Sequence, residues 1–350
     1  MKTIKVMKIL IIRFSSLGDV LLTTPVVRSI RKNYPSAEIH FLTKKQYAPI
    51  IKNNPNINKI IEYDSKNKKF INLIKIISKK QYDLIIDLHS KLNSFWIKLL
   101  SGSCKKVTYN KKHFYRWQLT HKSLSKNLAP IKSTVSLYAS VLDKLGIELD
   151  GEKLDIFLPK NQNRIYSVFN IPNSAFRISI SPGAKHFTKQ YPVRYYSQLI
   201  DIMIEKLDVQ VILLGDKFEK NLTTKISGNC KNKIFDLAGK IGIMGMAVII
   251  KNSDLFISGD CGPMHIAAAL NKPQIAIFGS THPKLGFAPT NPNAVIIQKD
   301  LPCRPCSLHG REKCPEGHFK CMNDIKPEEV FEKVKKIKRK FYESKSKGVR

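Results

Sequence analysis

Ile9-Leu10-Ile11-Ile12-Arg13-Phe14-Ser15-Ser16-Leu17-Gly18-Asp19-Val20-Leu21-Leu22-Thr23-Thr24-Pro25 decides the fold. Lys8 to Phe14 is a short apolar run with β-branched residues, the pattern of a strand buried on both faces. Ser15, Ser16 and Gly18 break it, and Val20, Leu21, Val26, Val27 and Ile30 carry the spacing of one helix that begins at Asp19. A strand that feeds a helix through a short loop belongs to an open α/β sheet, whose carboxyl edge is where ligands bind. Asp19 at the helix start has two readings: it caps exposed amides, or it faces a cleft as a general base.

The same alternation continues outward. Strands are expected at 37–42, 59–62, 82–89 and 106–109, with helices at 70–78, 94–100 and 135–145. A polar stretch with Pro172 and several asparagines reads as a linker at 161–175. The pattern then restarts, with strands at 177–181, 209–214, 234–237, 255–258 and 274–278 and helices at 195–206, 244–251 and 263–270. Pro327 opens a last amphipathic helix with Val330, Val334, Ile337 and Phe341 on one face. The expected organisation is α/β throughout: two doubly wound, Rossmann-like domains at 1–160 and 176–326. A C-terminal helix is expected at 327–343.

Composition narrows the function classes. The 350 residues are 43 % hydrophobic and 25 % charged, which suits a globular chain of two domains. No apolar run approaches the roughly 18 residues of a membrane span, and the 9–12 run is too short for a secretory signal. A cytoplasmic location is expected. The net charge of +33 favours anionic partners: nucleic acid, an anionic membrane surface or a phosphorylated substrate. The basic residues are spread along the chain without aromatic interleaving, which argues against nucleic acid.

Two further strand-to-helix turns carry chemistry. In Gly259-Asp260-Cys261-Gly262-Pro263-Met264-His265, Gly262 removes side-chain bulk and Pro263 suits a first helical turn. Such a helix start favours a diphosphate through its free amides and dipole; alternatively it is an ordinary tight turn. His265 is either a donor to phosphate or sugar or a packing residue. In Ser181-Pro182-Gly183-Ala184-Lys185-His186-Phe187-Thr188-Lys189-Gln190-Tyr191-Pro192, Lys189 can neutralise a leaving phosphate; otherwise it is a solvated loop lysine. A Gly-x-Gly-x-x-Gly fingerprint after the first strand and a Walker A lysine are both absent from the sequence.

Together, Ser15-Ser16-Leu17-Gly18-Asp19, the Ser-Pro-Gly-Ala…Lys189-Gln190-Tyr191-Pro192 loop and Gly259-Asp260-Cys261-Gly262-Pro263-Met264-His265 resemble glycosyltransferase family 9, the lipopolysaccharide heptosyltransferases, with heptosyltransferase II the nearer type. The motifs stand in the family's order over residues 7–330. The resemblance implies a GT-B fold and inverting transfer of heptose from an ADP-heptose donor to the inner core of lipid A, without a metal in catalysis. It implies that Asp19 is the base, that Lys189 contacts the donor phosphates, and that Asp260, Gly262 and His265 hold the donor. Cys261 replaces the family's usual Thr or Ser, and a thiol donates hydrogen bonds poorly, so only its backbone amide is expected to serve there. Asp216 is expected near the donor ribose. The acceptor should be anionic, which makes Arg13, Lys91, Lys112 and Arg116 its candidate contacts. Each taken singly reads first as a surface charge. The resemblance also implies that the C-terminal helix crosses back to the first domain.

Cys303-Arg304-Pro305-Cys306, Cys314 and Cys321 have the ligand type and rough spacing of a structural zinc site; the other reading is buried thiols or a redox pair. The expected protein is thus a cytoplasmic transferase at the inner leaflet of the membrane, with an ADP-heptose donor, a lipid A inner-core acceptor and no nucleic-acid partner. Domain closure is expected to exclude water from the donor. The rivals are another GT-B nucleotide-sugar transferase, an epimerase of that architecture, or a basic nucleic-acid-binding protein.

Overall fold

The computed structural model describes residues 6–64, 69–102, 105–121, 128–159, 168–169, 171 and 176–347. Most of the expected linker lies outside the described residues. Contacts divide the chain into two compact units, 1–113 with 132–157 and 114–131 with 158–350. Residues 114–131, read from sequence as part of the first domain, therefore group with the second.

The first unit is a parallel sheet built from β1 (Lys8–Ile12), β2 (Glu38–Lys44), β3 (Lys59–Tyr63), β4 (Leu84–Asp87) and β5 (Lys105–Thr108), in the order β3-β2-β1-β4-β5. Central β1 pairs on both sides, Ile9 with Ile39 of β2 and with Leu84 of β4, and its Ile9–Ile12 run is fully buried. The expected first helix is two: α1 (Leu17–Leu22) and α2 (Thr24–Asn33). Pro25 causes the break, because its ring cannot take a place in the interior of a continuous helix; Thr23 ends one helix and caps the next. Helices α3 (Phe70–Lys79) and α4 (Leu92–Leu100) cover one face of the sheet, where Leu73, Ile74, Ile77 and Ile97 pack on Leu10, Ile12, Leu42 and Ile85. Helix α5 (His113–Leu119) follows β5, and α6 (Thr134–Asp143) packs on α2. Ser133 caps α6, its Oγ accepting from the Ser136 amide at 2.9 Å. Arg28 of α2 fixes the following chain through Asp150 (2.9 Å) and Asp155 (2.5 Å).

The second unit repeats the plan with β6 (Arg177–Ser181), β7 (Gln210–Leu213), β8 (Phe235–Asp236), β9 (Leu255–Gly259), β10 (Gln274–Phe278) and β11 (Ala294–Gln298), all parallel in the order β11-β10-β9-β6-β7-β8. Its helices are α7 (Val193–Leu207), α8 (Lys220–Asn229), α9 (Ile243–Asn252), α10 (Gly262–Ala269), the short α11 (Lys320–Asn323) and α12 (Pro327–Lys347). The last helix packs on α7, with Val330, Phe331 and Val334 in the core of this unit. Val330 and Val334 of its expected apolar face are buried in that core. No helix among the described residues is long and apolar enough to cross a membrane.

In each sheet the strand order reverses once, between β1 and β4 in the first and between β6 and β9 in the second. Loops leave in opposite directions there and open a crevice at the carboxyl edge. Arg13 and Asp19 lie after β1; Lys189 and Asp260 lie after β6 and β9.

Candidate active site

Asp19 caps the start of its helix, one of the two readings the sequence allowed. As the third residue of α1 it closes a capping box with Ser16, whose amide and hydroxyl donate to Oδ2 at 3.0 and 2.7 Å. Its other oxygen, Oδ1, accepts from the Tyr138 hydroxyl at 2.9 Å and pairs with Arg13 Nη2 at 2.8 Å. The side chain keeps 20 % of its surface exposed, so the carboxylate is gripped without being sealed in. Burial alone would push this carboxyl up. The Arg13 charge, helped by the Ser16 and Tyr138 hydrogen bonds, instead holds it well below the usual carboxylate range. Asp19 is therefore an anion at neutral pH.

Arg13 corrects an expectation. Proposed from sequence as an acceptor contact, it is buried, donates from Nη1 to the Leu88 carbonyl at 2.6 Å, and stacks 5.2 Å from the Tyr138 ring centroid. It positions Asp19. Tyr138, from α6, was invisible in the sequence because only tertiary packing brings it to α1. His89, just past β4, packs edge-on against Phe14. Burial first, then the Arg13 and Lys91 charges, hold its ring down at about 4, so it is neutral here. Tyr138→Phe keeps the ring on Arg13 and removes one hydrogen bond to the carboxylate. Turnover should fall about tenfold with donor KM unchanged, the worth of a hydrogen bond to a charged group; a steady-state kcat and KM comparison checks it.

Lys91 and Lys112 are exposed, as a surface charge or an acceptor contact would require. Arg116 is neither. It is buried in the second unit, donates from Nη2 to the Leu285 carbonyl at 3.1 Å and lies 4.7 Å over the Phe287 ring. The guanidinium is spent on holding the 283–287 turn.

At the second switch point Lys189 Nζ pairs with Asp260 Oδ2 at 2.8 Å, both side chains largely buried, and the Thr281 hydroxyl donates to the same oxygen at 2.8 Å. Three adjacent strand ends thus converge: the turn after β6 brings Lys189, β9 brings Asp260, and β10 brings Thr281. The Lys189 turn is tight against the sheet, since a Cβ on Gly259 would stand 2.8 Å from the Lys189 carbonyl oxygen. Gly262 opens α10 with Pro263 in its first turn, and Cys261 at the cap makes no side-chain hydrogen bond to that turn. The amides of a first helical turn have no intrahelical partner and suit an anion. Burial pushes the Cys261 thiol up to about 12, so it is uncharged and adds no repulsion to an anion. His265 is buried in the same turn. Asp216, after β7, is exposed and caps its own turn, accepting from the Phe218 and Glu219 amides at 2.8 and 3.1 Å. Glu219, which sequence reading passed over, accepts from the Asp216 amide at 3.0 Å, and burial raises its carboxyl.

Cys303, Cys306, Cys314 and Cys321 do come together, lining one cavity with Arg304 and His318. Four thiols have the right donor chemistry for zinc. Among the described residues, however, no group of three or more His, Cys, Asp or Glu is placed to hold a metal ion. What fixes this loop is the buried Arg304 guanidinium, which donates to the carbonyls of Gly279, Lys299, Phe278 and Thr281. The loop in turn supports the Lys189 turn: the Thr188 amide donates to the Arg311 carbonyl (3.1 Å) and the Arg311 amide to Thr188 Oγ1 (2.8 Å).

Comparison with known proteins bears on this arrangement. Residues 70–318, well over half of the chain, match Glycosyltransferase family 9 (heptosyltransferase). Lipopolysaccharide heptosyltransferase 3 of Escherichia coli is 31 % identical over 286 residues, covering 75 % of this chain and 81 % of that protein. Lipooligosaccharide heptosyltransferase 2 of Campylobacter jejuni is 28 % identical over 341 residues, covering 95 % and 98 %. The solved ADP-heptose lipopolysaccharide heptosyltransferase II of Escherichia coli superposes with a TM-score of 0.74 at 21 % identity, over 95 % of this chain and 98 % of that one, which establishes the GT-B fold. The chain therefore belongs to glycosyltransferase family 9, the heptosyltransferases.

Proposed function

We propose that this enzyme transfers heptose from ADP-L-glycero-β-D-manno-heptose to the inner core of lipid A with inversion, and that Asp19 is the general base. The observation that carries the reading is the state of Asp19: an ionised, partly exposed carboxylate fixed at the carboxyl edge of a parallel sheet by Arg13, Tyr138 and Ser16. A lone acid of this kind suits single-displacement chemistry. The acceptor hydroxyl attacks the anomeric carbon from the face opposite the departing ADP, its proton passes to Asp19, and the diphosphate leaves with the bonding electrons.

The second unit suits the donor. The first-turn amides of α10 and the Lys189 ammonium would meet the two phosphates, compensating the charge that grows as the bond to the sugar breaks. Asp260 would then turn from its lysine to the sugar hydroxyls. Lys91 and Lys112 remain as contacts for the anionic acceptor, and the working location is the inner leaflet of the cytoplasmic membrane, reached peripherally.

The test is calorimetry with ADP and ADP-heptose, followed by mass analysis of a truncated-core acceptor. Donor binding with acceptor-dependent ADP release is expected. Donor turnover without any acceptor would instead indicate an epimerase or hydrolase. Catalysis needs no metal in this reading. Zinc on Cys303, Cys306, Cys314 and Cys321 would be structural, and elemental analysis of protein purified without chelator tests it. About one zinc per chain supports the site; metal-free protein with all four thiols titratable rejects it.

A further inference from the structure

Helix α4 is amphipathic in the wrong direction for a helix that only covers a sheet. Of its nine residues, Ser94 and Ile97 are buried against the sheet. Leu92, Phe95, Trp96, Leu99 and Leu100 recur at the i, i+3, i+4, i+7, i+8 spacing that makes one stripe on a helix. That stripe points outward: the five side chains are 77, 51, 47, 55 and 46 % exposed. Single exposed apolar residues are ordinary, but a contiguous row of large ones marks an interaction surface. Ile76 of the neighbouring α3 is exposed beside it.

The charges around the stripe select its partner. Lys75 and Lys79 on α3 are exposed, as are Lys91 at the head of α4 and Lys105 and Lys106 after it. Between Lys69 and Thr108 the sequence holds two acidic residues, Asp83 and Asp87. Both are engaged inward: Asp83 accepts from the Lys8 amide at 2.8 Å, and Asp87 is fully buried, accepting from the His89 and Ser90 amides and pairing with Lys98. The face thus presents Trp, Phe and Leu with exposed lysines on the same stretch of chain, whose two carboxylates are turned inward. That is the chemistry of an interfacial helix on anionic lipid, with the aromatic residues at headgroup depth and ammonium groups against phosphates.

We propose that the outer face of α4 is the membrane-docking surface of this enzyme and that its occupant is an anionic bilayer. The proposal rests on the reading that the acceptor is lipid-linked, and its test contains no sugar, so the two can fail separately. In a Trp117→Phe background, Trp96 is the remaining tryptophan. Its emission is followed as the full-length protein is titrated with vesicles of phosphatidylethanolamine and phosphatidylglycerol, or of phosphatidylcholine alone.

A blue shift with the anionic vesicles, weakened by salt and small with phosphatidylcholine, is expected. The Phe95→Glu/Leu99→Glu variant should lose at least about tenfold in vesicle partitioning while turning over a water-soluble truncated acceptor at the parent rate. Unchanged partitioning of that variant, or a Trp96 spectrum that ignores vesicles the protein does bind, overturns the proposal. So does sedimentation showing a dimer that this variant dissociates while vesicle binding persists; the face would then belong to a second copy of the chain.

Discussion

Asp19→Asn lowers kcat for heptosyl transfer by about 10²- to 10⁴-fold, the usual worth of a positioned general base, with ADP-heptose affinity little changed. Asparagine is the informative replacement. Its one carbonyl oxygen can still accept from Tyr138 on the Arg13 side, while the amide nitrogen that takes the place of Oδ2 loses the bond from the Ser16 amide and can only donate to the Ser16 hydroxyl. The size and shape of the side chain are kept while the charge and basicity are removed. Asp19→Ala is a blunter probe, because it strips the partner from a buried Arg13, and breaking a buried pair costs about 3–5 kcal/mol of stability. The pH profile should carry no Asp19 limb. Arg13 holds the Asp19 carboxyl below its ordinary range, so it does not titrate between pH 5 and 9, and an acidic limb in that range must come from another group. The same shift fixes the stability dependence. A depressed folded value means that the contribution of Asp19 is complete above its unfolded value of about 4 and is lost as pH falls through the lower folded value. A strongly held carboxylate is a weak base at rest. It becomes adequate as bond formation at the anomeric carbon acidifies the attacking hydroxyl, so proton transfer should accompany attack rather than precede it.

Lys189→Ala weakens ADP-heptose binding about 10- to 100-fold, the scale of a charge-assisted contact to phosphate. The loss has two sources. The ammonium is gone, and Asp260, nine-tenths buried, loses its ion pair and keeps only the Thr281 hydroxyl. A double-mutant cycle separates them. In Lys189→Ala/Asp260→Asn the unpaired charge is removed, so affinity should recover part of the loss, and the two substitutions should be strongly non-additive. Calorimetry with ADP, which lacks the sugar, should show the Lys189 effect in full. An unchanged ADP affinity would put the diphosphate elsewhere.

The sequence made the two switch points legible for a physical reason. Each lies where a fully apolar strand ends in small and polar residues, so Asp19, Asp260 and Gly262 stand out by local pattern alone. What it could not reveal was who holds them. Tyr138 reaches Asp19 across 119 positions of chain, and Thr281 reaches Asp260 from a different strand; neither has a local signature. Arg13 and Arg116 show the reverse error. In so basic a chain a guanidinium near a strand end reads as a surface contact, yet both are buried and spent on carbonyls and rings. The division of the first helix at Pro25 was available from the sequence, since the spacing of apolar residues runs through a proline that the backbone cannot.

In the proposed reaction an ionised acid and a diphosphate-binding turn serve a single displacement. The most direct measurement supplies ADP-heptose and a truncated inner-core acceptor and determines the anomeric configuration of the product by NMR alongside ADP release. One ADP for each heptose transferred is expected, in the α configuration opposite to the β-linked donor, with both products formed about 10²- to 10⁴-fold more slowly by Asp19→Asn. Retained β configuration, or full transfer by that variant, would contradict the proposed reaction.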